Sequence, residues 1–367
     1  MKYNYRPLYS PRYSLHSGVV GLVAVLSLAG CAGNTVQPAA PAHVDHAAHA
    51  TGKDELGRQL YGMSHDMSPA VLAELREREV IPADMTDAQV ARMMRSMTNY
   101  TWYVSPADVA GSRGILVLAH GFGRQGDMAM RRRLDPVGQA QPVAMALGMS
   151  MAMSSHIQVA LDDLTAAGAK DIAVIPVVSS RYSTLMRQWD FIFGLQDDPE
   201  YATVPRVTST AELHFAAPME AHPFVREILS QYAAEISKDK SQEEIIIVAH
   251  GPLDAADNAA QLKMLAGLAE SLRAEGYAGV FPITLQDDAP KEVRQGNVLR
   301  MREIVGEIEA RGHVPMVITN LIGTRTVQSS IRKDLSGLGY RYNFRGLVQH
   351  EKFVEWIQLA ADEAFND

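Results

Sequence analysis

The chain has 367 residues, of which 47% are hydrophobic, so it is long enough to bury a sizeable core and to form two domains. Its net charge of −8, without a long basic run, argues against a nucleic-acid partner. The single cysteine, Cys31, excludes a framework of internal disulfide bonds.

Residues 1–30 have the pattern of a secretory signal peptide. Lys2, Arg6 and Arg12 precede an apolar run at residues 19–28, which is too short to span a bilayer as a mature helix. The run ends in Leu28-Ala-Gly-Cys31, which resembles the bacterial lipobox and so implies lipidation of Cys31. We expect a lipoprotein anchored in a bacterial membrane on the periplasmic side. An uncleaved anchor or a chance apolar N-terminus is the alternative.

Two short segments precede the main body of the chain. Residues 31–55 are rich in Ala, Pro, Gly and Thr and lack apolar periodicity, which predicts a flexible tether. Residues 56–111 are predicted to form a small helical extension. Ser68 is placed to cap a helix with Pro69 at its first position, and Thr86 and Gln89 have the spacing of a capping box.

An apolar, β-branched run that stops at His-Gly occurs twice in the chain. It reads Ile115-Leu-Val-Leu-Ala-His120-Gly121 and Ile245-Ile-Ile-Val-Ala-His250-Gly251, so the histidines are 250 − 120 = 130 residues apart. A second pair, His222 and His350, recurs after 350 − 222 = 128 residues. Two landmarks in the same order at nearly the same spacing predict a duplicated domain, which we place at residues 112–238 and 243–367.

Each half alternates apolar strands with amphipathic helices. Four such units per half predict an α/β fold with a four-stranded parallel sheet and right-handed crossovers in each domain. The predicted strands are 115–119, 142–151, 172–178 and 212–216 in the first half, and 245–249, 279–285, 314–320 and 340–344 in the second. The predicted helices are 154–167, 183–193, 223–236, 255–274, 291–311, 326–335 and 350–364.

His120 and His250 each end the first strand of their half, at the edge where ligands bind in open α/β sheets. The glycine that follows lets the backbone turn sharply and leaves the imidazole uncovered. A neutral imidazole is a common metal ligand and titrates near neutral pH. A lone histidine is usually structural, but its recurrence at the same place in both halves favours a metal site.

Charged residues share the predicted edge with these histidines. Asp287 and Asp288 follow a strand of the second half and are interpreted either as metal ligands and proton acceptors or as a solvated loop. The first half carries arginines, which suit a polycarboxylate or phosphate ligand, although a solvated charged face is the alternative. These arginines are Arg124, Arg131, Arg132, Arg133 and Arg181.

Two further patterns are given other interpretations. His222 and His350 begin the last predicted helix of each half, where an imidazole can cap backbone groups or pack beside the preceding strand. We favour such a structural role for both over a functional one. Leu118-Ala-His-Gly-Phe-Gly123 looks like the oxyanion-hole strand of α/β-hydrolases, with a loose nucleophile elbow around Ser150. The two are only about 30 residues apart and the second His-Gly has no such partner, so a serine hydrolase is disfavoured.

Together these motifs resemble the class II chelatases, specifically the sirohydrochlorin cobaltochelatase/ferrochelatase family, over about residues 113–365. The resemblance rests on Ala-His-Gly after each first strand, on Ala167-Gly-Ala-Lys-Asp-Ile-Ala-Val-Ile-Pro176, and on Ala217-Pro-Met-Glu-Ala-His-Pro223. It implies two tandem flavodoxin-like, chelatase-like domains. It also implies insertion of a divalent metal ion (cobalt, iron or nickel) into an anionic tetrapyrrole without a nucleotide.

The resemblance also assigns roles to residues. His120 and His250 become catalytic metal ligands and bases, and Asp287 or Asp288 takes the place of an acidic metal-site residue. With a tetrapyrrole as ligand, Arg124 and Arg181 become the candidate substrate-binding residues. The family's second active-site histidine has no counterpart, because the matching segments read Ser179-Ser-Arg-Tyr182 and Gly323-Thr-Arg-Thr326. The alternative function is therefore a non-catalytic periplasmic lipoprotein that binds a metal ion or a tetrapyrrole on the same fold.

Overall fold

The structure is a computed structural model that describes residues 50–61, 67–78, 80–81, 84–96, 101–147, 152–323 and 326–366. The predicted signal peptide, Cys31 and most of the tether lie outside these residues. Among the residues described, no helix is both long enough and apolar enough to cross a membrane.

The segment before the first half contains strands as well as the expected helices. It begins with an antiparallel hairpin, β1 (Ala50–Lys53) and β2 (Gln59–Tyr61), which crosses the predicted boundary at residue 55. The helices α1 (Pro69–Glu77) and α2 (Asp87–Ser96) confirm the helical part of the extension. A further strand, β3 (Thr101–Tyr103), joins the sheet of the first half.

The first half contains the predicted four parallel strands, with β3 added antiparallel at one edge. The order across this sheet is β3-β5-β4-β6-β7. The four parallel strands are β4 (Arg113–Leu118), β5 (Val143–Ala146), β6 (Asp171–Pro176) and β7 (Glu212–Phe215).

The second half repeats this arrangement. Its four parallel strands lie in the order β11-β10-β8-β9, so in both halves the first strand is central, with the second on one side and the third and fourth on the other. This is the strand order of flavodoxin-like folds. The strands are β8 (Glu243–Ala249), β9 (Gly279–Thr284), β10 (Val314–Asn320) and β11 (Arg341–Tyr342).

Eight helices accompany the two sheets in the described residues, and the first of them was not predicted from the sequence. That helix, α3, contains Pro136 in its interior, which removes one donor from the helix and weakens the sequence signal. The helices are α3 (Gly123–Ala140), α4 (Ser155–Ala166), α5 (Thr184–Ile192), α6 (Pro223–Ala234), α7 (Ala255–Ala274), α8 (Lys291–Ala310), α9 (Thr326–Asp334) and α10 (Lys352–Asn366).

The last helix of each half packs on the sheet of the other half. Helix α6 contacts β10, while α10 contacts β6 and β7. Helix α10 buries Phe353, Trp356 and Ile357, and each side chain stabilises the fold by roughly 1.5–3 kcal/mol. One apolar core therefore runs from the first sheet to the second, joining Ile115 of β4 to Ile245 of β8.

The histidines at the start of these last helices are helix caps, which is one of the two structural roles expected for them. Nδ1 of His222 accepts the backbone N–H of Phe224 at 3.1 Å, and Nδ1 of His350 accepts that of Lys352 at the same distance. Nε2 of His350 then donates to the side-chain oxygen of Gln231 at 2.6 Å. Burial lowers the pKa of both imidazoles, which favours the neutral form that can accept these bonds.

Candidate functional site

His120 and His250 directly follow β4 and β8 and have the same local geometry. In each, the imidazole Nδ1 faces the carbonyl oxygen of the next residue, at 3.2 Å for His120 and 3.0 Å for His250. Because a carbonyl oxygen can only accept, Nδ1 carries the proton and the neutral ring keeps a free lone pair on Nε2. A histidine whose other ring nitrogen donates to a carbonyl is oriented as metal ligands usually are.

The glycine after each histidine is required by the turn. Gly121 and Gly251 have φ values of +95° and +82°, a conformation that side chains with a Cβ rarely adopt. A Cβ on Gly251 would also lie 2.7 Å from Cβ of Thr284. The backbone can therefore pass close to the end of β9 only with glycine at this position, and this close approach directs the imidazole of His250 out of the sheet.

Gln286 holds the His250 turn in place. Its backbone N–H donates to the carbonyl of His250 at 2.6 Å, and its side-chain amide donates to the carbonyl of Pro252 at 2.9 Å. The Gln286 side-chain oxygen accepts from the amide of Asn258 at 3.1 Å. Gln286 itself has a φ of 51°, which is uncommon for a residue other than glycine. Gln286 was not among the residues predicted from the sequence, where its only signal is its place just before the two aspartates.

The two predicted acidic ligands have different surroundings. Oδ2 of Asp288 lies 3.7 Å from Nε2 of His250, and the Asp288 side chain is 60% exposed. Asp287 is turned to Arg294, whose Nε donates to Oδ1 of Asp287 at 2.7 Å. Arg294 also pairs with Asp334 at 2.8 Å, which ties the loop to helix α9. Asp288 thus lies beside the imidazole of His250, whereas Asp287 is paired with the guanidinium of Arg294.

Arg181 lies in the loop after β6 and forms a two-pronged ion pair with Glu220. Its Nε and Nη2 atoms donate to the two carboxylate oxygens at 2.7 and 2.5 Å. The Arg181 side chain remains 32% exposed, so an anionic ligand that approaches it meets a guanidinium already engaged by a carboxylate. Arg124 belongs to the first turn of α3, and its side chain lies outside the part of the chain that the structure describes.

The carboxyl edges of the two sheets adjoin. The ring of Phe122, which follows His120-Gly121, lies so close to Gly323 after β10 that a Cβ there would overlap it. Arg187 on α5 forms ion pairs with Glu200 at 3.0 Å and with Asp257 in the first turn of α7. Helices α5 and α7 follow the carboxyl ends of β6 and β8, so these contacts connect the edges that carry His120 and His250.

Charges between the two halves are coupled at this junction. Burial alone would lower the pKa of Arg187, but the carboxylates of Glu200 and Asp257 outweigh it and raise that pKa. Burial raises the pKa of Tyr201 in the first half, and the charge of Asp288 in the second half adds to the effect. The Tyr201 hydroxyl therefore stays protonated at neutral pH beside the acidic edge of the second half.

The two sheets with one shared strand order define a tandem α/β protein of the flavodoxin-like class. The structure is similar to SirB from Bacillus subtilis, which was solved with Fe3+, at a TM-score of 0.51 and 14% identity over 70% of this chain and 97% of that one. DR2241 from Deinococcus radiodurans, a multi-domain protein with structural similarity to chelatases, gives a TM-score of 0.44 and 17% identity over 69% and 56%. No protein-family model and no curated protein matches the chain. The chain thus has a chelatase-like fold.

Proposed function

We propose that this protein is a metallochelatase of the sirohydrochlorin type, which inserts a divalent cobalt, iron or nickel ion into an anionic tetrapyrrole without a nucleotide. The observation that carries the proposal is the pair of equivalent imidazoles at adjoining sheet edges. In each, Nδ1–H is held by a backbone carbonyl and Nε2 is free to bind a metal ion. SirB, which was solved with Fe3+, has a similar fold and adds support for a metal ligand.

In the proposed reaction the metal ion is a substrate. Two pyrrole N–H bonds break, and the metal ion exchanges its previous ligands for bonds to the four ring nitrogens. The two protons leave through bases to solvent, and the metal keeps its oxidation state. Both histidines are ligands and bases in this scheme. Because Asp288 lies beside His250, we assign metal delivery mainly to the second half. His120, which is exposed on the other edge, then takes mainly the role of base.

The carboxylates of the tetrapyrrole are assigned to the first half. Arginine binds carboxylates with two parallel hydrogen bonds, and Arg181 already holds Glu220 in that manner. A tetrapyrrole carboxylate would either replace Glu220 at the Arg181 guanidinium or bind this guanidinium together with Glu220. Arg124, in the first turn of α3, is the second proposed contact to the substrate.

The alternative is a protein that binds a metal ion or a tetrapyrrole without turnover. It is favoured by the loop after β6, which has Arg181 paired with Glu220 and no imidazole between residues 179 and 182. With either function, we propose that a lipid on Cys31 anchors the protein to a bacterial membrane on its periplasmic side. This location rests on the Leu-Ala-Gly-Cys ending of the apolar run.

A titration of the purified full chain with cobalt and a sirohydrochlorin-type tetrapyrrole tests the proposal. Proton release together with a shift of the tetrapyrrole absorption band indicates insertion, whereas binding without proton release indicates the alternative. We expect His250→Ala to weaken cobalt binding more than His120→Ala, and Arg181→Ala to weaken only tetrapyrrole binding. His313→Gln, just before β10 at the opposite end of the second sheet, is the control. Equal cobalt and tetrapyrrole affinities in all of these variants would contradict the assigned site.

A further inference from the structure

A second group of metal-binding side chains lies at the opposite, amino-terminal edge of the first sheet. One ligand atom from each of Asp171, Glu212 and His214 lies within 4.8 Å of the others. Asp171, the first residue of β6, is the register partner of Glu212, the first residue of β7. His214 follows two residues later on β7. Because side chains alternate along a strand, all three donors lie on one face of the sheet.

The face that carries this group is the one covered by α10. Leu213, which points the other way from Glu212 and His214, packs in the separate core of the first half. Helix α10 places Phe365 against the His214 ring, edge to face, with ring centroids 5.5 Å apart. The imidazole is thus held from one side, and 21% of the His214 side chain remains exposed. Its Nε2 faces Oδ1 of Asp171 at 3.3 Å.

The same edge of the second sheet shows how carboxylates are neutralised in this protein. Glu243 pairs with Arg341, and Glu244 pairs with Arg311 at 2.8 Å and with His313 at 2.6 Å. Two arginines and an imidazole thus face the two buried carboxylates at the start of β8.

The edge of the first sheet lacks such a match. Within the described residues, Asp171 pairs only with His214, and no ion pair is found for Glu212. Arg113 is the register partner of Asp171 on β4, but its guanidinium lies over the ring of Phe365, 4.8 Å from the centroid. The donors therefore have the composition of a cation site without a fixed arginine or lysine in it.

We propose that Asp171, Glu212 and His214 bind a divalent transition-metal ion of the zinc, cobalt or nickel type. An imidazole nitrogen with two carboxylate oxygens suits these ions, with bonds of about 2.0–2.2 Å. The exposed Glu212 side chain can rotate to close the group around the ion. Bound there, the ion ties the edge strand β7 to β6 beside the end of α10. The site lies about 17 Å, the length of β6, from the carboxyl edge that carries His120.

Zinc titration of the purified full chain, with calorimetry and thermal melting, tests this edge site. Glu212→Gln keeps the size of an exposed side chain, and His214→Gln removes the imidazole. We expect either change to lower zinc affinity at the edge at least about tenfold, because loss of an outer-shell partner alone usually costs that much. The zinc-induced rise in melting temperature should become smaller, and should disappear when either change is added to the His120→Ala/His250→Ala variant. Glu309→Gln, an exposed glutamate of α8, should behave like the wild type.

The double variant His120→Ala/His250→Ala separates this site from the proposed chelatase site. It should still bind one zinc ion and still be stabilised by it. If zinc affinity and melting temperature are the same in the wild type, Glu212→Gln and His214→Gln, the edge site is wrong. It is also wrong if the double variant binds no zinc. If the double variant binds zinc with the same stoichiometry and affinity as the wild type while Glu212→Gln binds it more weakly, that result would contradict the proposed chelatase site and support the edge site.

Discussion

Nε2 of His250 lies 3.7 Å from Oδ2 of Asp288, whereas Oδ1 of the adjacent Asp287 is held at 2.7 Å by Arg294. Of these two neighbouring carboxylates, only that of Asp288 lies beside the His250 imidazole, whereas that of Asp287 is engaged in an ion pair. Asp288 is exposed and can move by the small distance that shared metal binding with His250 requires. Asp287 is mostly buried in an ion pair that anchors the loop to α8 and, through Asp334, to α9.

We predict that Asp288→Asn lowers cobalt affinity while leaving the free energy of unfolding nearly unchanged. Asp287→Asn should do the reverse, because it weakens the partly buried pair with Arg294 and costs about 1 kcal/mol of stability. Calorimetric cobalt titration and urea unfolding of both variants measure the two effects. Loss of cobalt affinity in Asp287→Asn alone would contradict the assignment of Asp288.

Gly251→Ala is predicted to destabilise the protein more than Gly276→Ala. Both glycines have positive φ, so each substitution costs about 1 kcal/mol or more in backbone strain. At Gly276 a Cβ meets open space, but at Gly251 it would lie 2.7 Å from Cβ of Thr284 and 3.0 Å from Cγ of Gln286. Urea unfolding gives the difference, and cobalt affinity should fall only in Gly251→Ala. Equal losses of stability would show that the His250 turn relaxes freely.

Asp163 on α4 is predicted to make stability depend on pH. Burial raises its pKa to about 6, and the Tyr61 hydroxyl donates to Oδ1 of Asp163 at 2.8 Å. Because the folded state binds this proton more tightly than the unfolded state, with its ordinary value of 3.8, the stabilisation is complete below pH 3.8 and is lost as the pH rises through about 6.

Asp163→Asn remains neutral at every pH and keeps an acceptor for Tyr61. We expect it to exceed the wild type in stability by about 1–2 kcal/mol at pH 7.5, with the advantage shrinking toward pH 4.5. Urea unfolding at the two pH values tests this. Asp197→Asn, at a fully exposed side chain, is the control and should show no such pH-dependent gain. A gain that is the same at both pH values would argue against a buried, protonated carboxyl.

Cys31→Ser is predicted to release or mislocalise the protein. The apolar run that ends at Leu28-Ala-Gly-Cys31 contains the single cysteine of the chain, and serine cannot carry the lipid thioether. Membrane fractionation and acyl labelling of the wild type and the variant measure the change. Unchanged fractionation and labelling in Cys31→Ser would rule out lipidation at this position.

Local sequence patterns predicted much of the fold. Runs of β-branched residues that end in His-Gly identified β4 and β8, because a strand buried on both faces has no polar alternation. Their repetition predicted two equivalent sheets. The positions of His222 and His350 indicated structural roles, and the structure shows that both cap helices. Helix α3 escaped prediction, since Pro136 interrupts its pattern, and β3 is only three residues long.

The sequence by itself thus determined the eight parallel strands, most helices and the sheet edge at which His120 and His250 lie, because these depend on residues that are near one another in the chain. Tertiary structure alone decided which sheet each final helix covers, since an amphipathic helix must bury one face but does not specify its partner. It also decided that Asp288 faces His250, that Arg181 pairs with Glu220, and that Asp171 meets His214. These pairs are 38, 39 and 43 residues apart, and only the packing of strands and loops brings their charges together.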